Sequence, residues 1–499
     1  MTRTRILAAL AVIVTVTALS GCGRETGPTP TTAAPDPTAA AEFADGLAHK
    51  VTVDATMAHL TKLQEIADAN DGNRALGTPG YQASVDYVVN TLRDKGFQVQ
   101  TPEFEVRLPW ADEPALTVAG AGVPARAMEF TIGTEGVGGP LVPARAEDTP
   151  GCTADDYDGL PVRGAVVLVD RGACPFGAKQ AVAAQAGAVA LIVADNEDGD
   201  EMGGTLGEET DVKIPVVSVT KATGAQLRGQ QDAPVSLRLN AGVRIEKTRN
   251  VIAQTATGST ADVVMVGAHL DSVAEGPGIN DNGSGVAAVL ETALQLGSAP
   301  AVTNAVRFGF WGAEEWGLLG SSNYVESLDE EGLRDIALYL NFDMIGSPNP
   351  GYFTYDGDQS AKPDPRRGVP RVPEGSAGIE RTLVAYLDRA GKPAEDTSFD
   401  GRSDYDGFTR SGVPAGGLFS GAEEKKTAHQ AEIWGGQADE PFDPNYHKET
   451  DTLAHIDREA MRIHGSGVAY AVGLYAQDQR GRNGIPIRED RTRHPLTAS

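Results

Sequence analysis

Cysteine is nearly missing from this chain: Cys22, Cys152 and Cys174 are the only thiols among 499 residues. That scarcity excludes a disulfide-rich scaffold and a thiolate-built zinc module. A His-Glu-x-x-His helix is also missing, which removes the ordinary single-zinc protease as a template. Positive charge is short: 42 Lys and Arg stand against 69 Asp and Glu, for a formal charge of −27. Nucleic acids and anionic membrane surfaces both need a basic face, so neither is expected as the main partner. Long apolar runs are lacking too; residues 6–19 fall short of the roughly 20 needed to span a bilayer.

What the N-terminus does have is an export signal. Arg3 and Arg5 precede the apolar run, and Leu19-Ser20-Gly21-Cys22 closes it with a phrase that resembles a bacterial lipobox. The resemblance implies cleavage before Cys22 and a diacylglycerol on its thiol, anchoring the protein on the outer face of the cell membrane. Residues 1–21 then read as a lipoprotein signal peptide, and 22–45, rich in Thr, Pro, Ala and Gly, as a flexible tether. Cys152 and Cys174 remain as an even pair in an exported chain, so a disulfide is expected.

The length suggests two or three domains. Val85, Val88, Val89 and Leu92 share one face of a helix over 81–92, Gly96 closes it, and 97–106 alternates like a strand. A Gly- and Pro-rich stretch, 119–150, reads as the approach to a different domain. Residues 152–220 carry their own α/β pattern, with strands at 165–169, 189–193 and 214–219 and a helix at 177–185. Gly172-Ala173-Cys174-Pro175-Phe176, followed by Gly187-Ala188 before a strand, resembles the protease-associated domain and implies an accessory or lid role. The expected layout is a catalytic domain over 46–125 and 243–480, a protease-associated insert over 126–242, and a flexible tail over 481–499, whose charge and glycines suggest disorder.

From Arg249 onward strands and helices alternate. Residues 263–266, 306–311 and 336–340 are short runs, apolar on both faces, as buried parallel strands are. The helix over 286–296 is a plausible crossover, stopped by Gly297. The residues just past each strand carry the chemistry: His269 and Asp271 after the first, Glu314 and Glu315 after the second, Asp343 after the third. Open α/β sheets bind ligands at the carboxyl ends of their strands, so three strands deliver ligands to one crevice. Asp281, in Asn280-Asp281-Asn282-Gly283, and His447, in Asn445-Tyr446-His447-Lys448, add a fourth and a fifth contribution. Carboxylates and imidazoles in this mixture suit zinc, and two ions need a shared carboxylate.

These residues, with the phrases over 341–353, Gly416-Gly417-Leu418-Phe419 and Asn73-Arg74-Ala75-Leu76-Gly77-Thr78-Pro79-Gly80, make residues 243–470 resemble the secreted double-zinc leucyl aminopeptidases of the Streptomyces type. The resemblance implies a phosphorylase/hydrolase-like three-layer α/β/α core around a mixed, largely parallel sheet. It assigns His269 and Asp343 to one zinc and Glu315 and His447 to another, with Asp281 bridging. Asp271 would fix the tautomer of His269, Glu314 would be the general base, and Tyr446 would stabilise the oxyanion. A cis peptide is expected before Asn282. Met344 and Phe419 would line the pocket for the first side chain, and the substrate ammonium would lie near Glu314, Asp343 and the backbone of Arg402. The implied partners are peptides with a free, Leu-like N-terminus, and a monomer is expected.

Departures from the family are also legible. Asn445 and Thr450 stand where relatives carry a cysteine pair, and Arg462 and Ser466 replace calcium-binding carboxylates, so two zincs without calcium are expected. The other histidines match no ligand position. A carboxypeptidase would need a basic pocket that no arginine cluster supplies. A binding-only lipoprotein would have lost ligands that all survive here.

Overall fold

The computed structural model describes residues 37–145, 150–199, 203–361 and 371–496. The signal segment, the lipobox and Cys22 lie outside the described residues. Among the described residues no helix is long and apolar enough to cross a membrane.

The larger part is built on an eight-stranded mixed sheet. Its order is Gln98–Gln100, Val251–Gln254, Asn304–Trp311, Ser259–His269, Ile336–Phe342, Ala415–Phe419, Phe353–Tyr355 and Glu395–Thr397. Ser259–His269 runs parallel to both neighbours, and Ile336–Phe342 runs parallel to Ala415–Phe419. The four central strands therefore end on the same side. Val264, Val266 and Ala268 pack into one core, while Met265 enters a second core with Trp311 and Tyr339. Burial on both faces explains why these strands read as unbroken apolar runs rather than alternating ones. The helix Gly285–Leu296 follows the first ligand strand and ends at Gly297, whose φ of 82° suits a residue without a Cβ.

A second eight-stranded sheet has the order Ala121–Val123, Ala115–Val118, Pro234–Leu239, Thr134–Pro143, Val166–Asp170, Ala190–Ala194, Val216–Val219 and Arg126–Ala127. Val166–Asp170, Ala190–Ala194 and Val216–Val219 are buried on both faces, while Pro234–Leu239 alternates between buried and exposed, and the helix Phe176–Ala186 contributes Ala183 to one core. Cys152 and Cys174 are joined by a disulfide here. Glu103–Ala111 and Ala241–Arg249 pair as an antiparallel ribbon that leads into this sheet and out again.

Four expectations need correction. The strand over 97–106 is two strands in two different sheets, Gln98–Gln100 and Glu103–Ala111, broken at Pro102, which has no N–H to give a ladder. Ala115–Val118 and Ala121–Val123, assigned by sequence to the catalytic segment ending at 125, are hydrogen-bonded into the second sheet. Part of the supposed tether is the helix Pro37–Lys50. It buries Ala40, Ala44 and Leu47, four and three residues apart, and lies on Arg458–Gln477 so closely that a Cβ at Gly473 would stand 2.9 Å from the Cα of Ala44. Alanine's small side chain, read as tether composition, is what permits that approach.

The supposed tail is also ordered through residue 496. Arg491 donates to the carbonyls of Ala261 at 2.9 Å and Arg334 at 2.8 Å, and pairs with Asp262 at 2.7 Å. Arg493 donates to the carbonyls of Gly412 at 2.6 Å and Ile336 at 3.1 Å. A guanidinium carries five donors, so charge that looked like a solvated face satisfies buried backbone instead.

Candidate active site

His269 is the last residue of its strand, Asp343 directly follows Phe342, and Glu314 and Glu315 lie three and four residues beyond Trp311. Parallel register brings these ends together: His269 stands opposite Trp311, and Gly267 opposite Asn341. Asp281 comes from a tight loop entered at Gly278, φ 59°, and the Asp281–Asn282 peptide is cis, as expected.

The five expected ligands meet. Asp281 turns Oδ1 toward His269 Nε2 at 3.2 Å and Oδ2 toward His447 Nε2 at 3.2 Å. Asp343 Oδ1 lies 3.3 Å from His269 Nε2, and Glu315 Oε2 lies 3.1 Å from His447 Nε2. Glu314 Oε2 is 3.9 Å from His269 Nε2. His269, Asp281 and Glu315 form one group able to hold a metal ion, and His269, Glu314 and Asp343 form another. Glu315 Oε1 and Asp343 Oδ1 are buried without a hydrogen-bond donor. Burying so many carboxylates is unfavourable unless cations neutralise them.

The titration behaviour carries the same signature. Burial and the nearby Asp281 push Glu315 up to about 7. Burial also raises Glu314 well above the usual carboxylate range, with Asp404, Glu315 and Asp343 adding to it. Burial would lower His447, but bonds to Asp281 and Glu315 outweigh it and carry the imidazole up to about 10. Oxygen and imidazole donors with unpartnered lone pairs suit zinc, so the residues present fit the metal that the sequence implies.

Asp271 differs from its expected role. Its carboxylate accepts from the amides of Glu314 at 3.2 Å and Glu315 at 3.4 Å. His269 Nδ1 instead lies 3.1 Å from the backbone carbonyl of Asp271, with the carboxylate farther off at 3.8 Å. The side chain thus fixes the turn that carries the two glutamates, and the main chain orients the imidazole.

The adjoining cleft is lined by Met344, Phe419, Tyr355 and Tyr405 beside Glu314, Asp343, Arg402 and Tyr446. Arg402 donates to the Tyr446 hydroxyl at 3.2 Å and pairs with Glu423 at 2.8 Å, holding the phenol at the rim. Arg462 pairs with Glu459 at 2.6 Å on the last long helix. His464 lies fully buried against the Ile345 carbonyl at 2.9 Å, and His59 between Tyr87 and Glu291, both as packing residues.

Several residues at the site were not singled out from sequence. Arg74 is fully buried and donates to the carbonyls of Leu270, Pro277 and Gly278, lacing the His269 and Asp281 loops together. Ser403 donates to Asp343 Oδ2 at 2.7 Å. Asp404 is buried beneath the site, and burial pushes it up to about 7. Asp451 and Asn280 join the loops of Asp281 and His447. Arg74, Asn280 and Asp451 stand within or beside the short motifs that carry the family resemblance and the ligands; a charged or amide side chain close to a ligand was the available signal.

Comparison with known proteins agrees with this geometry. The profile described as "Peptidase family M28" matches residues 250–472, and that of the PA domain matches 137–227. The chain is 68% identical over 491 residues to a probable lipoprotein aminopeptidase, LpqL, of Mycobacterium tuberculosis, covering 98% of this chain and 97% of that protein. It is 41% identical to leucine aminopeptidase 2 of Arthroderma otae, covering 88% of this chain and 87% of the relative. A solved zinc aminopeptidase from Bacillus subtilis superimposes with a TM-score of 0.60 at 26% identity, covering 87% of this chain and 98% of that one. With its carboxylate and imidazole cluster at the strand ends and an accessory sheet beside it, the chain belongs to peptidase family M28 and is a zinc-dependent aminopeptidase carrying a PA domain.

Proposed function

We propose that the protein removes N-terminal residues, preferably large and apolar ones, from peptides, using two zinc ions held by His269, Asp281, Glu315, Asp343 and His447. The observation that carries this reading is Asp281, whose two oxygens face two different imidazoles at equal distance. Bound zinc would supply polarisation of the scissile carbonyl and a lowered pKa for the attacking water. Glu314 takes the proton of that water and returns it to the leaving amine. The Tyr446 hydroxyl, steadied by Arg402, donates to the oxygen on which negative charge develops. The free ammonium of the substrate docks among Glu314, Asp343 and the Arg402 backbone, and its first side chain enters between Met344 and Phe419.

Leu19 to Cys22 supports export with a lipid anchor at Cys22, so peptides outside the cell are the proposed substrates. The test is a panel of aminoacyl reporters and peptides, free and N-acetylated, together with metal analysis. Free Leu-peptides should be cleaved from the N-terminus and acetylated ones should resist, at two zincs per chain. Equal cleavage of both forms, or full activity with a single zinc, would overturn the reading.

A further inference from the structure

Residues 443–451 carry Tyr446 and His447, yet they contain no strand, no helix and no cysteine. Two buried carboxylates hold the segment at its ends. Asp451 accepts from the amide of Asn280 at 2.8 Å with one oxygen and from the amide of Asp281 at 3.0 Å with the other. Its own carbonyl accepts from the amide of Ile279 at 3.2 Å. At the other end, Asp443 accepts from Asn280 Nδ2 at 2.6 Å and from the Asn445 amide at 2.8 Å. Asn280 passes the grip on, since its Oδ1 accepts from the amide of Gly346 at 3.0 Å, three residues past the ligand Asp343. All three residues are buried, with exposures of 1% for Asn280, 2% for Asp443 and 3% for Asp451. The two loops also run backbone to backbone, because a Cβ at Gly276 would stand 2.1 Å from the Lys448 carbonyl oxygen.

We infer that Asp443 and Asp451 form a two-ended clamp on Asn280 that fixes His447 relative to Asp281, making them positioning residues for the metal pair. The inference rests on the proposal that Asp281 and His447 share a zinc. Neither clamp residue touches the substrate cleft; each acts through the loop it holds. A ligand loop without regular structure samples many positions, and groups that orient ligands from behind are typically worth about 10- to 100-fold in metal affinity. Because both oxygens of Asp451 are committed to the amides of Asn280 and Asp281, the bridging carboxylate comes directly under its control.

The test uses the full chain with zinc as the probe. Asp451→Asn replaces one accepting oxygen by an NH2 that confronts an amide N–H; Asp443→Asn does the same at the other end. Each variant is compared with the native chain in zinc retained against graded chelator, in hydrogen exchange at Asn280 and Asp281 without metal, and in metal-free melting. In Asp451→Asn at least one zinc should be released at roughly tenfold lower chelator strength, with faster exchange at those two amides and an unchanged metal-free melting temperature. Native zinc retention in both variants would overturn the clamp. So would zinc loss that only tracks an equal fall in metal-free melting. Should Asp451→Asn not fold, Asp443→Asn decides by the same measurements. A native chain holding a single zinc would defeat the two-zinc reading, and the clamp would still be judged by whether that ion is weakened.

Discussion

The inner strands of the two eight-stranded sheets are made of similar material, short runs of mostly apolar residues buried on both faces, but they differ in what lies buried beside them. At the carboxyl ends of the catalytic sheet, His269, Asp271, Asp281, Glu314, Asp343 and Asp404 are all buried together. The buried charges around the second sheet include Asp156, which accepts from the Thr153 amide at 2.8 Å, and Lys179, which donates to the Pro150 carbonyl. Each has a local partner. One sheet stabilises a concentration of like charge, which costs folding free energy and requires a cation; the other stabilises only itself. The cluster of candidate ligands therefore lies at the first sheet.

The harshest way to break this contrast is to remove the metal. Chelation should abolish hydrolysis of a Leu reporter and lower the melting temperature, with increased hydrogen exchange confined to the loops of Asp281, Glu315 and His447 and none in 166–194; exchange rising equally in both sheets would erase the distinction. Next in size is Glu314→Gln, which should cut turnover by about 10²–10⁴-fold while zinc content stays native. Near-native turnover would show that another group moves the proton. Leu191→Ala, fully buried in the second sheet, should cost about 2–5 kcal/mol in denaturant unfolding of that region, with reporter turnover unchanged. A parallel fall in turnover would mean the sheets communicate. A change of similar size is expected of Cys152→Ser with Cys174→Ser: opening a loop of sequence separation 22 should cost about 3 kcal/mol in the second sheet and leave zinc retention native.

Four of the proposed ligands, His269, Asp281, Glu315 and Asp343, were legible because each stands at or just past a strand end or in a glycine-rich loop, where residue type and position both signal chemistry; His447 stands on a segment with neither. Asp271 was legible as a participant but not in its bonds: a His-x-Asp spacing allows either the carboxylate or the carbonyl of the aspartate to meet the imidazole. Arg74 and Asp451 were hidden for a different reason. Their partners lie 196 and 170 positions away in sequence, and no local periodicity reports such a pairing. The errors at both chain ends share a cause. Alanine and threonine next to prolines look like linker composition, and arginines next to glycines look like a solvated tail, until the surfaces they cover, Gly473 and the carbonyls of Ala261 and Ile336, are in view.

The scattering of the ligands along the chain also bears on when the enzyme acquires its metal. His269, Asp281, Glu315, Asp343 and His447 come from five separate stretches, and pairing of Ser259–His269 with its two parallel neighbours brings together those of His269, Glu315 and Asp343. An extended chain in transit across a membrane offers no two of these imidazoles close enough to hold one ion. Zinc loading would then follow assembly of the central sheet, and a chain exported as proposed above would draw its metal from the surroundings in which it folds. The catalyst would be switched on by arrival, and its output would track how much zinc that compartment supplies.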